Sequence, residues 1–124
     1  MIKDFYTIAA HTETDADHHR FELTLNQQSC VYQGHFPGRP IAPGVCNIEM
    51  IKECALKAIN PSTKMRLGSI RSCQMIEVVD PFKTPNLSLT IAVSKKEDAK
   101  IEFVGELFHE DTPYMKMKAT LINY

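Results

Sequence analysis

The sequence lacks an excess of either charge and lacks any long apolar run. Lysine and arginine number 14 against 15 aspartate and glutamate residues, so there is no broad basic field for a nucleic acid backbone. No segment approaches the roughly twenty apolar residues that span a bilayer, and the first residues lack the apolar core of a signal peptide. We therefore expect a cytoplasmic protein with neither a nucleic acid nor a membrane as its partner.

The four cysteines, Cys30, Cys46, Cys54 and Cys73, contain no Cys-x-x-Cys pair. Cys46 and Cys54 fall in an apolar segment, where small buried thiols fit well, so structural thiols are expected.

A cluster of Asp15, Asp17, His18 and His19 contains metal-ligating residue types. No further ligand is specified, and the cluster is typical of a solvated turn. We therefore expect no metal site there.

Glycine and proline are scarce, yet half of them fall in one short stretch. Of 5 glycines and 7 prolines, six lie within residues 34–44. Proline restricts its own φ and the preceding residue, while glycine permits left-handed backbone and close approach. The stretch is therefore predicted to be a rigid, non-helical loop of the kind that commonly positions functional groups.

Residues 45–59 are predicted to form a largely buried helix. They contain no glycine or proline, their apolar residues recur at i, i+3 and i+4, and Asn60-Pro61 supplies a stop signal. A narrow polar stripe remains on the helix. It consists of Glu49, Lys52, Glu53 and Lys57.

Outside the loop and the helix, apolar and polar residues alternate as in strands with one covered face. The alternation is clear at 21–25, 87–93, 101–107 and 115–121, and a less regular strand is expected at about 69–79. With 124 residues and 44% hydrophobic content, the chain 1–124 is expected to be one α+β domain, an antiparallel sheet wrapped around one long central helix. Such a sheet leaves an edge strand uncovered, and dimerisation is expected to cover it.

His35, Gly44 and Glu49 form a candidate catalytic set. An imidazole accepts a proton near neutral pH, a partly desolvated carboxyl group donates one, and N–H groups at a helix N-terminus stabilise an oxyanion. Glycine at the helix start leaves the amide unobstructed. Each residue also has a purely structural interpretation, with His35 bonded to the backbone and Glu49 paired with Lys52 on the polar stripe. The residue pattern by itself leaves both interpretations open.

The string GHFPGRPIAPGV at 34–45, followed by Ile48-Glu49-Met50, closely resembles the active-site segment of the 3-hydroxyacyl-acyl-carrier-protein dehydratases, which have the hotdog fold. The shared features are His-Phe-Pro-Gly, the second proline, Pro-Gly at the helix start and an acidic residue fourteen positions after the histidine. Glutamate at that acidic position resembles the branch of the family that does not isomerise its product.

This resemblance implies that His35 of one subunit works with Glu49 of its dimer partner at the mouth of an acyl tunnel. His35 would remove the α-proton of a 3-hydroxyacyl thioester, and the Gly44 amide would hold the thioester oxygen. Glu49 would help the 3-hydroxyl leave as water, giving the trans-2-enoyl product. The residues implied to contact the substrate are Phe36, Pro43 and Val45.

The resemblance also implies acyl carrier protein as the partner that carries the thioester, a homodimer with a hexamer as the larger assembly, and no metal or organic cofactor. The basic residues Lys64, Arg66, Arg71 and Lys83 are a candidate surface for an acidic carrier protein, with an ordinary solvated surface as the alternative.

Two other functions stay open: hydrolysis of an acyl thioester, and a non-catalytic acyl-binding subunit in a mixed dehydratase dimer. The sequence departs from the family pattern at Glu53, where a glutamine is usual, and at Pro81-Phe82-Lys83, where Pro-Gly-Asp is usual. These departures make the mixed dimer conceivable.

Overall fold

The computed structural model describes residues 4–29, 41–61, 63–97 and 99–123. Within these ranges the chain forms one six-stranded sheet and one α-helix, in the order of two strands, a helix and four strands. The elements are β1 (Tyr6–Asp15), β2 (His18–Leu25), α1 (Gly44–Ile59), β3 (Met65–Met75), β4 (Asn86–Lys96), β5 (Lys100–His109) and β6 (Thr112–Asn123).

The strands lie in the order β1-β2-β4-β5-β6-β3, and every neighbouring pair is antiparallel. The chain therefore leaves the sheet after β2, near one edge, and returns as β3 at the opposite edge. α1 lies in this crossover and packs across one face of the sheet, where it contacts β3, β4 and β5. The predicted α+β architecture is confirmed.

The core lies between α1 and that face of the sheet. The strand register aligns its inward residues, so that Phe21 stands opposite Leu89, and Leu89 stands opposite Leu107. Each of these fully buried side chains contributes roughly 1.5–3 kcal/mol of transfer free energy. α1 packs closely on Gly105 of β5, where an added β-carbon would lie 2.6 Å from Cγ2 of Ile51. A residue with a side chain at position 105 would hold the helix away from the sheet.

α1 begins and ends where the sequence signals place it. Pro43 is the N-cap, with an extended backbone of φ −60° and ψ 142°. Asn60 is the C-cap in the left-handed region, and its N–H donates to the Leu56 carbonyl oxygen at 2.8 Å. A left-handed residue of this kind is a common helix ending. Nowhere in the described ranges is a helix long and apolar enough to cross a membrane.

The bounds of β3 differ from the expected 69–79. The strand runs over Met65–Met75 and pairs with β6 along its length. Register shifts between Leu67 and Ser69 and between Ile70 and Ser72 interrupt its alternation. Because each extra residue in a bulge reverses which side chains face the core, the simple period of two misplaced the strand by four residues.

β1 and β3 are the two edges of the sheet. Large apolar side chains are exposed along β3 and the segment after it: Ile70, Met75, Ile76 and Val78 are between 40% and 59% exposed. We call these four residues the β3-edge surface. Exposed apolar side chains beside an unpaired strand edge are typical of an association surface.

Candidate functional site

A backbone hydrogen bond joins the residues just before α1 to the segment that follows β3. The Ala42 N–H donates to the Val79 carbonyl oxygen at 2.8 Å. The same segment is tied to β6, because the N–H groups of Ile76 and Glu77 both donate to the Tyr114 carbonyl oxygen, at 2.9 Å and 3.2 Å. The position of the first helical residues is therefore set by two long-range backbone contacts.

The first turn of α1 leaves two backbone donors without an intrahelical acceptor. Pro43 caps the helix without a side-chain hydrogen bond, and its carbonyl oxygen accepts from the N–H groups of Cys46 at 3.0 Å and Asn47 at 3.2 Å. The N–H groups of Gly44 and Val45 come too early in the helix to find a carbonyl within it. They form the positive end of the helix dipole, which suits an oxyanion.

A cleft of about 600 Å³ opens beside this helix start. The cleft is lined by residues 41–45, residues 75–79, Asn47, Tyr114 and Met115. This volume lies within the range of small-molecule sites, roughly 300–1,000 Å³. Gly44 packs closely under Met75, because an added β-carbon would lie 2.5 Å from Cε and 3.0 Å from Sδ of Met75.

Glu49 lies on the polar stripe of α1 and forms an ion pair with Lys52, three residues further along the helix. Both side chains are partly buried. The pairing anticipated by the structural interpretation of Glu49 is therefore present within the single chain. Among the described residues that line the cleft, Glu49 does not occur.

Glu53, the second carboxylate on the stripe, is contacted by the first strand. The Tyr6 hydroxyl donates to Glu53 Oε1 at 2.8 Å. Burial raises the pKa of Tyr6, and the neighbouring Cys54 and Glu53 raise it further. The phenol therefore keeps its proton and remains a donor. Local sequence patterns carry no signal for a contact between residues 6 and 53, so sequence reasoning missed it.

The three described cysteines have the character of structural thiols. Cys54 is fully buried, and its burial raises the pKa of the thiol to about 12. Burial also raises the pKa of Cys46 and of Cys73. A thiol with a raised pKa stays protonated and is a poor nucleophile, in agreement with the expectation from sequence.

The residues of the candidate metal cluster have different surroundings. In the exposed turn between β1 and β2, Asp15 Oδ1 lies 2.9 Å from His18 Nδ1 and accepts from the Asp17 N–H at 2.8 Å. His19 is buried instead, with its Nδ1 3.0 Å from Nε2 of His11 on β1. The expectation that His19 belongs to the solvated turn is therefore wrong. Its position in the strand register directs it to the core side of β2.

Asn47 is a polar residue of the cleft that sequence reasoning passed over. Its residue surface is only 6% exposed, and no group in the described chain hydrogen-bonds its Oδ1. The signal was present in the sequence, because position 47 precedes the buried Met50 and Ile51 by three and four residues and shares their helix face. A buried polar atom without a partner calls for an explanation.

Comparison with known proteins gives the family. The family model for ApeI-like proteins, described as ApeI dehydratase, matches residues 11–116. The chain belongs to the ApeI-like dehydratase family.

Relatives of this ApeI-like chain include the 3-hydroxyacyl-[acyl-carrier-protein] dehydratases called FabZ. The FabZ of Lactobacillus helveticus is 32% identical over 85 residues, covering 64% of this chain and 56% of the relative. The FabZ of Rhizorhabdus wittichii is 32% identical over 95 residues, covering 72% of this chain and 59% of the relative. The chain thus spans little more than half the length of these curated relatives.

Solved structures show that the ApeI-like chain has the hotdog fold predicted from its motif. The dehydratase heterocomplex ApeI:P from Xenorhabdus doucetiae matches with a TM-score of 0.70 at 19% identity, covering 94% of this chain and 97% of that chain. A hypothetical thioesterase protein with coenzyme A from Streptococcus pneumoniae matches with a TM-score of 0.69 at 11% identity, covering 100% of this chain and 91% of that chain. At these identities the likeness concerns the fold.

The ApeI-like chain brings three of the predicted site residues, Pro43, Gly44 and Val45, into one cleft. Glu49 lies further along α1, on its polar stripe. His35 and Phe36 lie outside the described residues. The roles assigned to these residues from the motif stay predictions.

Proposed function

We propose that this ApeI-like chain dehydrates 3-hydroxyacyl thioesters carried by acyl carrier protein to trans-2-enoyl thioesters. The observation that carries the proposal is the cleft at the start of α1, in which Gly44 contributes backbone without a side chain. A backbone N–H at the positive end of a helix, beside mostly apolar walls, suits a thioester oxygen as it gains charge. The FabZ relatives are named for the same reaction class.

In the proposed reaction His35 takes the proton from C2, and the electron pair of that C–H bond becomes the second bond between C2 and C3. The Gly44 N–H holds the thioester oxygen while it carries negative charge. The C3–O bond then breaks, and the hydroxyl leaves as water with a proton delivered through Glu49. A positioned base or acid contributes about 10²- to 10⁴-fold, and one oxyanion donor about 3 kcal/mol.

A second copy of the chain is proposed to complete each site. The β3-edge surface combines an unpaired strand edge with four exposed apolar side chains, which a second β3 edge would cover. The motif resemblance implies that Glu49 of one subunit works with His35 of the other, and Glu49 is absent from the described cleft lining of its own chain. A homodimer is the proposed active unit, with a hexamer as the larger assembly.

The carrier protein is proposed to approach the basic residues. Lys64, Arg66 and Lys83 are exposed, whereas Arg71 pairs with Oε1 of Glu102. Exposed basic side chains favour encounter with an acidic partner, and their contribution weakens as salt concentration rises.

A non-catalytic subunit of a mixed dehydratase dimer is the second candidate. The structural neighbour from Xenorhabdus doucetiae is a dehydratase heterocomplex, and the β3-edge surface would serve a different chain as well as a second copy. A thioesterase is the third candidate, since another neighbour is described as a hypothetical thioesterase with coenzyme A.

One assay separates these functions. The purified chain is incubated with a 3-hydroxyacyl carrier-protein thioester, and enoyl absorbance and free thiol are followed together. We expect enoyl formation without thiol release, and its loss in His35→Ala. Thiol release without enoyl formation identifies a thioesterase, and an inert chain that becomes active only with another subunit identifies the mixed dimer. Full activity of His35→Ala contradicts the proposed dehydratase mechanism.

A further inference from the structure

Asn47 lines the cleft and carries a buried hydrogen-bond acceptor, Oδ1, without a partner in the described part of the chain. The other polar side chains in the described lining are accounted for: Glu77 is exposed, and the Tyr114 hydroxyl lies 3.1 Å from Thr84 Oγ1. Asn47 is 6% exposed, and within the described ranges its Oδ1 has no donor. A buried acceptor without a hydrogen-bond donor destabilises the unliganded protein, and a ligand that supplies a donor removes this cost.

Helix geometry puts residue 47 on the same face of α1 as Gly44, about one turn further along. Residues 44 and 47 are three apart, so they share one face of α1 with a rise of about 4.5 Å between them. Side chains on a helix lean towards its N-terminus and cover the preceding turn. The amide of Asn47 therefore leans towards the turn that contains Gly44, where the flexible end of the Met75 side chain lies against the glycine.

We infer that Asn47 binds the 3-hydroxyl group of the substrate while the Gly44 N–H binds its thioester oxygen. This inference rests on the proposed function. In a 3-hydroxyacyl thioester a single carbon separates the carbonyl carbon from the carbon that bears the hydroxyl, so the two oxygens reach neighbouring groups on one helix face. The hydroxyl donates to Oδ1 of Asn47, and it also has lone pairs for a group that helps it leave. Asn47 exchanges no proton and acts by holding the substrate.

The consequence is selectivity for the substrate over its product. The enoyl product and a saturated acyl chain both lack the hydroxyl, so either one leaves Oδ1 of Asn47 without a donor. A site that hydrogen-bonds a hydroxyl binds an analogue without it less tightly. The loss of a single neutral hydrogen bond predicts that the analogue without the hydroxyl binds about tenfold more weakly than the hydroxylated substrate.

The test uses a pair of unreactive pantetheine analogues, a 3-hydroxyacyl amide and its 3-deoxy counterpart of equal chain length. Binding constants are measured by calorimetry for the wild type, Asn47→Leu and Asn47→Ala. Glu77→Leu is the matched control, because it removes an exposed polar group from the same cleft. Melting temperatures of the four unliganded proteins are measured in parallel.

We expect the wild type and Glu77→Leu to bind the hydroxylated analogue about tenfold more tightly, and both Asn47 variants to bind the two analogues nearly equally. Asn47→Leu should melt at the same or a higher temperature, because it removes an unsatisfied buried acceptor. An unchanged preference in the Asn47 variants would overturn the inference. A marked fall in the melting temperature of Asn47→Leu would also overturn it, because that result shows that Oδ1 already has a structural partner in the unliganded protein. If the wild type forms enoyl product yet binds both analogues equally, only the inference fails; if it binds neither and forms no product, the proposed function fails with it.

Discussion

Met75 covers the Cα of Gly44 so closely that a β-carbon on residue 44 would lie 2.5 Å from its terminal methyl carbon. One residue ends β3 and the other begins α1. The contact is made by the far end of a flexible, exposed side chain, which can move aside. The geometry therefore separates two effects of a side chain at position 44: a small effect on folding and a larger one on access to the amide.

Gly44→Ala should leave the melting temperature nearly unchanged and lower kcat/KM for the dehydration about tenfold or more. Alanine favours the helix, which offsets the displacement of Met75, whereas its methyl group crowds an oxyanion donor worth about 10²- to 10³-fold in rate. The double variant Gly44→Ala with Met75→Ala is the control. Recovery of activity in the double variant would show that the displaced Met75 blocks the cleft and that the amide itself is not crowded.

Glu49→Gln should abolish most turnover with little loss of stability. The amide cannot deliver a proton to the leaving hydroxyl, so a loss of about 10²- to 10⁴-fold is expected. The ion pair with Lys52 is partly exposed and contributes only about 0–1 kcal/mol. Glu53→Gln is the matched control on the same stripe and should keep its turnover, because the Glu53 carboxylate faces Tyr6. Turnover that survives Glu49→Gln would assign Glu49 to the stripe alone.

The stability of the wild type should decrease as pH falls below about 6.5 because of His11. Partial burial lowers the pKa of His11 from 6.5, His19 and Lys57 lower it further, and Glu13 opposes them. The folded state therefore binds fewer protons than the unfolded state in this range. Its contribution to stability is fully present above about pH 6.5 and is lost as pH falls through the lower folded pKa.

Urea unfolding at several pH values checks this expectation against His11→Gln, which keeps a polar side chain but does not titrate. The variant should lose less stability than the wild type over the same range. The hydrogen bond from His18 lowers the pKa of Asp15 below 3.8, so that carboxylate does not titrate in the window. If the free energy of unfolding falls equally with pH in the wild type and in His11→Gln, His11 is not the cause of the decrease.

Ile70→Asp should convert the proposed homodimer to a monomer and abolish turnover at the same protein concentration. A buried carboxylate on a strand edge that pairs with its own copy is strongly unfavourable. Light scattering coupled to gel filtration measures the change in mass. Phe82→Ser removes an exposed apolar side chain outside the β3-edge surface and should leave the mass unchanged. A wild type that is monomeric and active would contradict the shared site.

The sequence predicted best those elements whose patterns are local. The alternation at 87–93 lies within β4, and Asn60 ends α1 as its stop signal indicates. The predicted range of β3 was displaced, because two register shifts interrupt the alternation of apolar and polar residues along the strand. At the site, the motif predicted a role for the run from Pro43 to Val45, and these residues line the cleft at the start of α1. The hydrogen bond between Tyr6 and Glu53 and the burial of His19 depend on contacts between distant segments. The local periodicity of the sequence does not predict such contacts.

The hydrogen bond between Ala42 and Val79 joins the start of α1 to a segment that also carries Ile76 and Val78 of the β3-edge surface. Any chain that packs on those two side chains immobilises the same peptide that holds the Gly44 amide in place. Association and ligand affinity are then thermodynamically linked, and each strengthens the other by the same factor. Substrate binding should therefore weaken when the protein is diluted below the concentration at which the assembly dissociates. Saturating substrate should in turn shift that dissociation to a lower protein concentration.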